Sequence, residues 1–135
     1  MTNLYNKTRA ESHQFKETND CAVVAVALAT DCPYKDVHGI MGTLGREPRS
    51  GTPWSIIKST VHFLGFDVEI TTPRKPCGGK YTSYKLPPNL DPNKRYMAVV
   101  SGHILAIING RVEDWTQGRR CRIEQIWEVT PCLKF

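Results

Sequence analysis

Long hydrophobic runs are missing from this sequence of 135 residues. No apolar segment approaches the roughly 18–20 residues that a membrane-spanning helix needs. The segment 1–16 is polar and has no hydrophobic stretch of the secretory-signal type, so we expect no exported precursor. Internal repeats and low-complexity segments are also absent. What remains is a length that suits one domain, 1–135, built around one core.

The spacings that identify metal sites and disulfide frameworks are absent as well. The chain has five cysteines, an odd number, and none of them stands in a CxxC pair. The four histidines form no HxxxH pair. We therefore expect no zinc site and no cofactor. Without a secretory signal, the cysteines are expected to be reduced thiols in a cytoplasm.

Acidic residues are fewer than basic ones, 13 against 18, which gives a net charge of +5. An excess of this size is ordinary for a soluble protein. Two groups would attract an acidic partner or nucleic acid, the pair Arg74-Lys75 and the cluster of Arg111, Arg119, Arg120 and Arg122. No interleaving of aromatic and basic residues of a recognised RNA-binding type is present, so we expect neither nucleic acid nor a membrane as a partner.

Helical periodicity marks the first half of the chain, after a polar arm at 1–17 that has room for a short strand. The apolar run at 20–30 predicts a helix that is buried on most sides. Apolar positions three or four residues apart predict further helices at 34–44 and 52–64. We expect Thr52 to cap the last of these.

The second half has the two-residue period of strands. Residues 66–71 alternate between apolar and polar, and 72–94, rich in proline, glycine, lysine and tyrosine, predicts a loop. Further strands are predicted at 95–101, interrupted at Gly102 and continued at 103–108, and then at 111–115, 119–124 and 126–129. Helices followed by an antiparallel sheet predict an α+β domain, with a helical half at about 18–65 and a sheet half at about 66–135.

Cys21 stands at the entrance of the apolar helix, directly after Asn19 and Asp20. Either of these two residues can cap the first turn by accepting hydrogen bonds from its backbone N–H groups. The positive end of the helix dipole then favours the thiolate of Cys21, which is the reactive form of cysteine. The sequence thus supplies a nucleophile, provided that a base lies near it.

A base is supplied by the hairpin at Asn109-Gly110, one of the strongest two-residue turn signals. This turn pairs residue 108 with 111 and 105 with 114, and directly opposed residues share a face of the sheet. His103 and Asp114 therefore become diagonal neighbours on one face. A carboxylate beside an imidazole fixes its tautomer and supports its protonated form.

Each of these residues has an ordinary explanation when it is taken alone. A cysteine on an apolar helix packs in a core, a histidine on a strand is a surface or hydrogen-bonded residue, and an aspartate near a turn is solvated. Cys21, His103 and Asp114 together, in this order and context, indicate an active-site cysteine instead.

At these residues the chain resembles the papain-like cysteine peptidase superfamily. The cysteine opens a buried helix, the histidine begins a strand of a later antiparallel sheet, and the aspartate lies on the next strand. The resemblance is to small papain-fold proteins of phages and bacteria and, more distantly, to bacteriocin-processing cysteine peptidases. It spans residues 18–118 and includes the stretches 19–21, 33–34, 101–103 and 109–115.

The resemblance implies roles for individual residues. Cys21 would be the nucleophile, His103 the general base and acid, and Asp114 the residue that orients His103. The family also uses an oxyanion donor before the cysteine, for which Gln14 and Asn19 are rival candidates beside the backbone N–H of Cys21.

A substrate groove is expected between the helical and the sheet halves. Gly102 removes a side chain where a substrate would approach. Trp54, Trp115 and the 72–94 loop are candidate walls, although both tryptophans also suit a core.

The expected function is that of a cytoplasmic cysteine peptidase or related amidohydrolase, which acts on a protein or peptide by thiolate acyl transfer. Peptide hydrolysis, deamidation and transamidation all use this constellation and stay open. If the protein is phage-encoded, the compartment is the host cytoplasm. The alternative is a catalytically inactive papain-fold module that binds a host or partner protein.

Overall fold

Helices precede the sheet along the chain, as the sequence predicts. The computed structural model describes residues 3–132, and this part contains four helices and a five-stranded antiparallel sheet, an α+β arrangement. The sheet order is β1-β5-β2-β3-β4. The helices are α1 (Asn3–Gln14), α2 (Cys21–Thr30), α3 (Tyr34–Thr43) and α4 (Trp54–Phe63), and the strands are β1 (Phe66–Thr71), β2 (Arg95–Val100), β3 (His103–Ile108), β4 (Arg111–Glu113) and β5 (Ile123–Pro131). None of these four helices is long and apolar enough to cross a bilayer.

Helix α2 lies at the centre of the core. Every residue from position 22 to position 30 is buried, and the helix packs on one face of the sheet against Ile104, Ala106 and Ile108. Its alanine and valine side chains are short, which lets the neighbouring elements approach closely. At its far end the guanidinium of Arg95 donates to the carbonyl of Leu28 at 2.6 Å, where a helix has carbonyls without intrahelical partners.

The 72–94 segment covers the other face of the sheet. It is irregular, as predicted, and places Tyr81, Leu86 and Leu90 against a second apolar cluster that contains Leu105 and Ile107. Both faces of β3 are therefore covered, one by α2 and one by this segment. Helix α2, which begins at Cys21, lies on the helical side of the sheet.

The N-terminal segment is a helix, so the prediction of a polar arm with a short strand is wrong. The buried face of α1 consists of Tyr5, Thr8 and Ser12, which follow each other at helical spacing but are mostly polar. Their polar groups are satisfied inside the fold, since Thr8 donates to the carbonyl of Leu4 and Ser12 to the carboxylate of Asp20. A hydrophobic periodicity is therefore missing from this helix.

The helix caps also differ from the predictions. Asp20 occupies the N-cap position of α2, but neither it nor Asn19 caps the helix through its side chain. The N-cap of α4 is Pro53, so Thr52 is not the cap. The carboxylate of Asp20 is turned away from the helix because it accepts hydrogen bonds from Ser12 and Tyr34.

Two strand predictions are wrong. The chain reverses at Ser101-Gly102, where Gly102 has a positive φ of 66°, so that β3 returns along β2 instead of continuing it. The segments 119–124 and 126–129 are not separate strands, because a single strand, β5, runs through the middle of the sheet. Glu124 and Glu128 obscure its apolar pattern, and each is paired with a lysine of a neighbouring segment.

The buried carboxylate of Glu17 joins the segment after α1 to the rest of the helical layer. It accepts hydrogen bonds from both terminal nitrogens of Arg46 at 2.9 and 3.2 Å, from the backbone N–H of Arg49 at 2.7 Å and from the ring of His38 at 2.6 Å. Burial alone would raise the pKa of Glu17, but these donors lower it to about 2. His38, which had no partner predicted from sequence, is thus part of this clamp.

We expect Glu17→Gln to lower the free energy of unfolding by about 3 kcal/mol, because it leaves the buried charge of Arg46 without its counter-ion. Urea unfolding measures this change. Glu47→Gln is the matched control, because Glu47 is an exposed glutamate on the loop that carries Arg46 and Arg49. It should change the free energy of unfolding by less than about 0.5 kcal/mol. Equal stabilities of the two variants would contradict the clamp.

The same clamp predicts the pH dependence of stability. A carboxyl whose pKa is lowered on folding stabilises the native state above its unfolded pKa and loses that contribution as the pH falls through its folded pKa. The stability difference between the wild type and Glu17→Gln should therefore be constant above about pH 5 and shrink between there and pH 2. A difference that stays constant down to pH 2 would contradict the lowered pKa.

Candidate active site

Three side chains meet where α2 begins and the β3–β4 hairpin ends. Cys21 is the first residue of α2, His103 the first residue of β3, and Asp114 directly follows the last residue of β4. The hairpin register is the predicted one, with residue 108 opposite 111 and 106 opposite 113. His103 and Asp114 thus lie at the same end of the hairpin, beside the N-terminus of α2.

Asp114 is held by the turn that follows it. Its Oδ2 accepts hydrogen bonds from His103 Nε2 at 2.8 Å, from the Thr116 hydroxyl at 2.6 Å and from the Thr116 backbone N–H at 3.2 Å. The carboxylate is 5 % exposed. The two donors of Thr116 come from the turn that carries Asp114, so they hold the carboxylate in the orientation in which it meets His103.

His103 bridges Asp114 and Cys21. Its Nε2 faces the carboxylate, which leaves Nδ1 as the ring nitrogen available to the thiol. Burial alone would lower the pKa of His103, but the hydrogen bonds with Asp114 and with Cys21 raise it to about 10. The imidazolium form is therefore favoured at neutral pH.

Cys21 has the electrostatic surroundings of a nucleophile. Burial raises the pKa of its thiol, but the hydrogen bonds from the His103 ring and from the backbone N–H of Ile104 outweigh burial and leave the pKa below its ordinary value. Thiolate and imidazolium stabilise each other, and the thiolate is the reactive form. The arrangement can deliver a nucleophile and a proton to the same carbonyl compound.

The position of Cys21 depends on the residue before it. Asp20 is 4 % exposed and accepts hydrogen bonds from the Ser12 hydroxyl at 2.5 Å and the Tyr34 hydroxyl at 2.7 Å. Arg9 lies 3.4 Å from its other oxygen. This carboxylate connects α1 and α3 to the start of α2, so it positions the nucleophile and does not act as a helix cap.

The site lies at the end of the sheet and not on a face. Sequence reasoning placed His103 and Asp114 on the face of Leu105 and Ile107, but those residues pack under the 72–94 segment, opposite α2. The predicted strand at 111–115 is too long, because β4 ends at Glu113 and Asp114 lies in the turn that follows it. His103 still reaches Cys21 because it follows the Ser101-Gly102 turn, where the strand has only begun.

A cavity of about 330 Å³ opens beside the three residues. One wall is formed by Tyr5 and Arg9 of α1, and another by Gly102 and Trp115. The remaining lining residues are Asn19, Asp20, Cys21, Val24, Gly51, His103 and Asp114. This cavity is large enough to admit a side chain and the adjoining backbone of a peptide.

The other predicted site residues divide into two groups. Gly102, Trp115 and Asn19 line the cavity, and the Asn19 amide donates to the carbonyl of Arg49 at 3.3 Å. Gln14 is exposed at the end of α1 and is not brought to the cavity. Trp54 contacts Trp127 at a separate cavity, with 5.8 Å between ring centroids.

Neither tryptophan is a core residue, since Trp54 is 48 % and Trp115 50 % exposed. The 72–94 loop, the remaining candidate wall, contributes no residue to the lining. Of the predicted walls, only Trp115 therefore borders the cavity.

Sequence reasoning missed Tyr5, Arg9 and Thr116. The first two are four residues apart, and this spacing would have placed them on one helix face if α1 had been recognised. Thr116, two residues after Asp114, has the spacing at which a hydroxyl and an aspartate meet within a turn. Within the described ranges, no group of three histidine, cysteine or acidic side chains is arranged to hold a metal ion.

We expect iodoacetamide to alkylate Cys21 faster than the other four cysteines at pH 7, because its thiol pKa is lowered. His103→Ala removes a hydrogen bond to the sulfur and should slow this labelling about tenfold. His62→Ala, at an exposed histidine on α4, is the control and should leave the rate unchanged. Peptide mapping by mass spectrometry measures each site. Equal labelling of all five cysteines would overturn the assignment.

The rate of Cys21 alkylation should also depend on pH in two steps. A first rise below the ordinary thiol pKa reports formation of the thiolate beside a charged His103. A second change near pH 10 reports loss of the imidazolium proton. In Asp114→Asn the second change should move to lower pH, because the negative partner of the ring is gone. A single transition at the pKa of a free thiol would contradict the pair.

Similarity to known proteins assigns neither a fold family nor a functional site to this chain. Comparison with protein-family models, with curated proteins and with solved structures gives no significant match. The chemistry of the site therefore rests on its own geometry, namely a cysteine, a histidine and an aspartate in series beside a cavity.

Proposed function

We propose that the chain is a cysteine peptidase or related amidohydrolase with a papain-like arrangement, acting on a protein or peptide in a cytoplasm. The observation that supports this most is the His103 ring, which bridges Asp114 at 2.8 Å and the thiol of Cys21 at the mouth of a cavity. Nucleophile, base and orienting carboxylate in series are the requirements of acyl transfer by a thiol.

In the first half of the reaction the Cys21 thiolate attacks the substrate carbonyl carbon. The new S–C bond turns the carbonyl oxygen into an oxyanion. The candidate donors to this oxyanion are the backbone N–H of Cys21, in the first turn of α2, and the second N–H of the Asn19 amide, whose other N–H donates to the carbonyl of Arg49. His103 then protonates the leaving nitrogen, the C–N bond breaks, and a thioester on Cys21 remains.

In the second half neutral His103 takes a proton from water, and the resulting hydroxide attacks the thioester. The S–C bond breaks and returns the thiolate, while the proton stays on His103 to restore the imidazolium. Asp114 holds the ring in one orientation throughout and stabilises its charged form. Transfer to an amine in place of water uses the same steps.

We expect cleavage of a proteome-derived peptide library by the wild type, with the products identified by mass spectrometry. Cys21→Ala should abolish every product, and Asp114→Asn should lower the rate by at least about 100-fold, since the ring loses its partner. Cys77→Ala, at an exposed cysteine away from the cavity lining, is the matched control.

Failure of this experiment has a defined meaning. If the protein is folded and no product depends on Cys21, the result favours the alternative function. In that case the chain is a catalytically inactive module that binds a host or partner protein. A Cys21-linked acyl adduct, detected by mass after acid quenching, would support the proposed reaction even when turnover is slow.

A further inference from the structure

Two exposed arginines lie over two exposed aromatic rings, and one of these rings, Trp115, also lines the cavity. The guanidinium carbon of Arg119 lies 4.8 Å from the ring centroid of Trp115, and that of Arg120 lies 5.1 Å from the ring of Tyr84. Trp115 is 50 % and Tyr84 57 % exposed. We call these four residues the arginine rim. Trp115 connects it to the site, because it lines the cavity and its ring centroid lies 5.6 Å from that of His103.

We propose that the arginine rim docks an acidic segment of the peptide substrate next to the cleft. The inference rests on the proposed function, since it names the substrate class of the same site.

The backbone beneath the rim is fixed by hydrogen bonds. The N–H of Arg119 donates to the carbonyl of Thr116, in the same turn that holds Asp114. The Ser83 hydroxyl donates to the carbonyl of Arg119 at 2.7 Å and accepts from the N–H of Cys121 at 3.0 Å. These bonds join the 119–121 backbone to the 80–85 segment that carries Tyr84. The two guanidinium groups are therefore presented on a preorganised surface, which lowers the entropy lost on binding.

The charges of the rim are not neutralised within the described part of the chain. No acidic side chain there lies within ion-pair distance of Arg119 or Arg120. Arg122 differs, because its charge is close enough to Glu124 to help lower the pKa of that carboxyl, after Lys80 and Arg74. Two neighbouring cations beside the cleft would attract a negative group of an incoming substrate.

The chemistry of the free groups favours a carboxylate over a nucleic acid. Stacking occupies the faces of the guanidinium groups and leaves their N–H edges open, and these edges match a carboxylate in a bidentate pair. A nucleobase would stack on a ring face, and each arginine leaves one face fewer of its ring for such stacking. An acidic peptide can bind without moving either side chain.

Binding can be measured without turnover on the Cys21→Ala protein. The probe is a fluorescein-labelled octapeptide of alternating glutamate and glycine, followed by fluorescence anisotropy, and its glutamine counterpart is the neutral comparison. We expect the acidic peptide to bind about tenfold more tightly than the neutral one. Arg119→Gln and Arg120→Gln should each weaken its binding about fivefold.

Arg122→Gln is the matched control, because it removes the same charge from an exposed position three residues or fewer away from the rim arginines. It should leave the dissociation constant of the acidic peptide within about twofold. If all three variants bound the acidic peptide equally weakly, its affinity would depend only on the net charge of the protein, and the proposal would be overturned. Tighter binding of a single-stranded oligonucleotide, lost in Arg119→Gln, would replace the peptide by a nucleic acid and also overturn it.

A second measurement tests whether the rim belongs to the active site. The acidic octapeptide should protect Cys21 of the wild type from iodoacetamide, and the glutamine octapeptide should not. Binding without protection would make the rim a separate surface and overturn its role in substrate docking. Failure here leaves Cys21-dependent cleavage intact, whereas failure of the proposed function removes cleavage and leaves peptide binding intact, so the two failures are distinguishable.

Discussion

The helical layer depends on the hydrogen bonds that the buried carboxylate of Asp20 accepts. A carboxylate inside a protein is costly unless it is paired and hydrogen-bonded. Asp20 meets this condition through Ser12 and Arg9 of α1 and Tyr34 of α3. These donors converge only when both helices are docked at the start of α2. The position of Cys21 is therefore set by tertiary structure and not by the local preferences of its own helix.

The two layers of the fold bring different parts of the site. The helical layer provides Cys21 and one wall of the cavity, which Tyr5 and Arg9 form. The sheet layer provides His103 and Asp114, whose hydrogen bond is shielded by the turn at Thr116. The backbone N–H of Ile104, which donates to the sulfur, couples the layers directly. A displacement of α2 from β3 would change the distance between nucleophile and base before it changed either layer.

Local signals predicted much of this structure from the sequence. The apolar run after Cys21, the periodicity of 34–44 and the Asn109-Gly110 turn each contain their information within a few residues. For that reason α2, α3 and the β3–β4 register agree with the predictions. The same turn gave the pairing that brings His103 and Asp114 together at the end of the hairpin.

The parts that could not be predicted depend on distant residues. The sequence of α1 shows no apolar periodicity because its buried face is mostly polar. On that face the Ser12 hydroxyl donates a hydrogen bond to Asp20. The reversal at Gly102 has no apolar signal, since β2 and β3 are both buried on both faces and read as one long strand. The resemblance implies Gln14 as a candidate oxyanion donor, but Gln14 is exposed at the end of α1 and does not line the cavity.

The order of Cys21, His103 and Asp114 along the chain has a consequence for biosynthesis. Cys21 is made early, whereas the strand that carries His103 and the turn that carries Asp114 are made late. Chains are synthesised from the N-terminus and fold as segments emerge. Until the hairpin docks on α2, Cys21 lacks the His103 ring, which lines the same cavity in the folded chain. The thiol therefore gains the surroundings that favour its thiolate only when the sheet is complete.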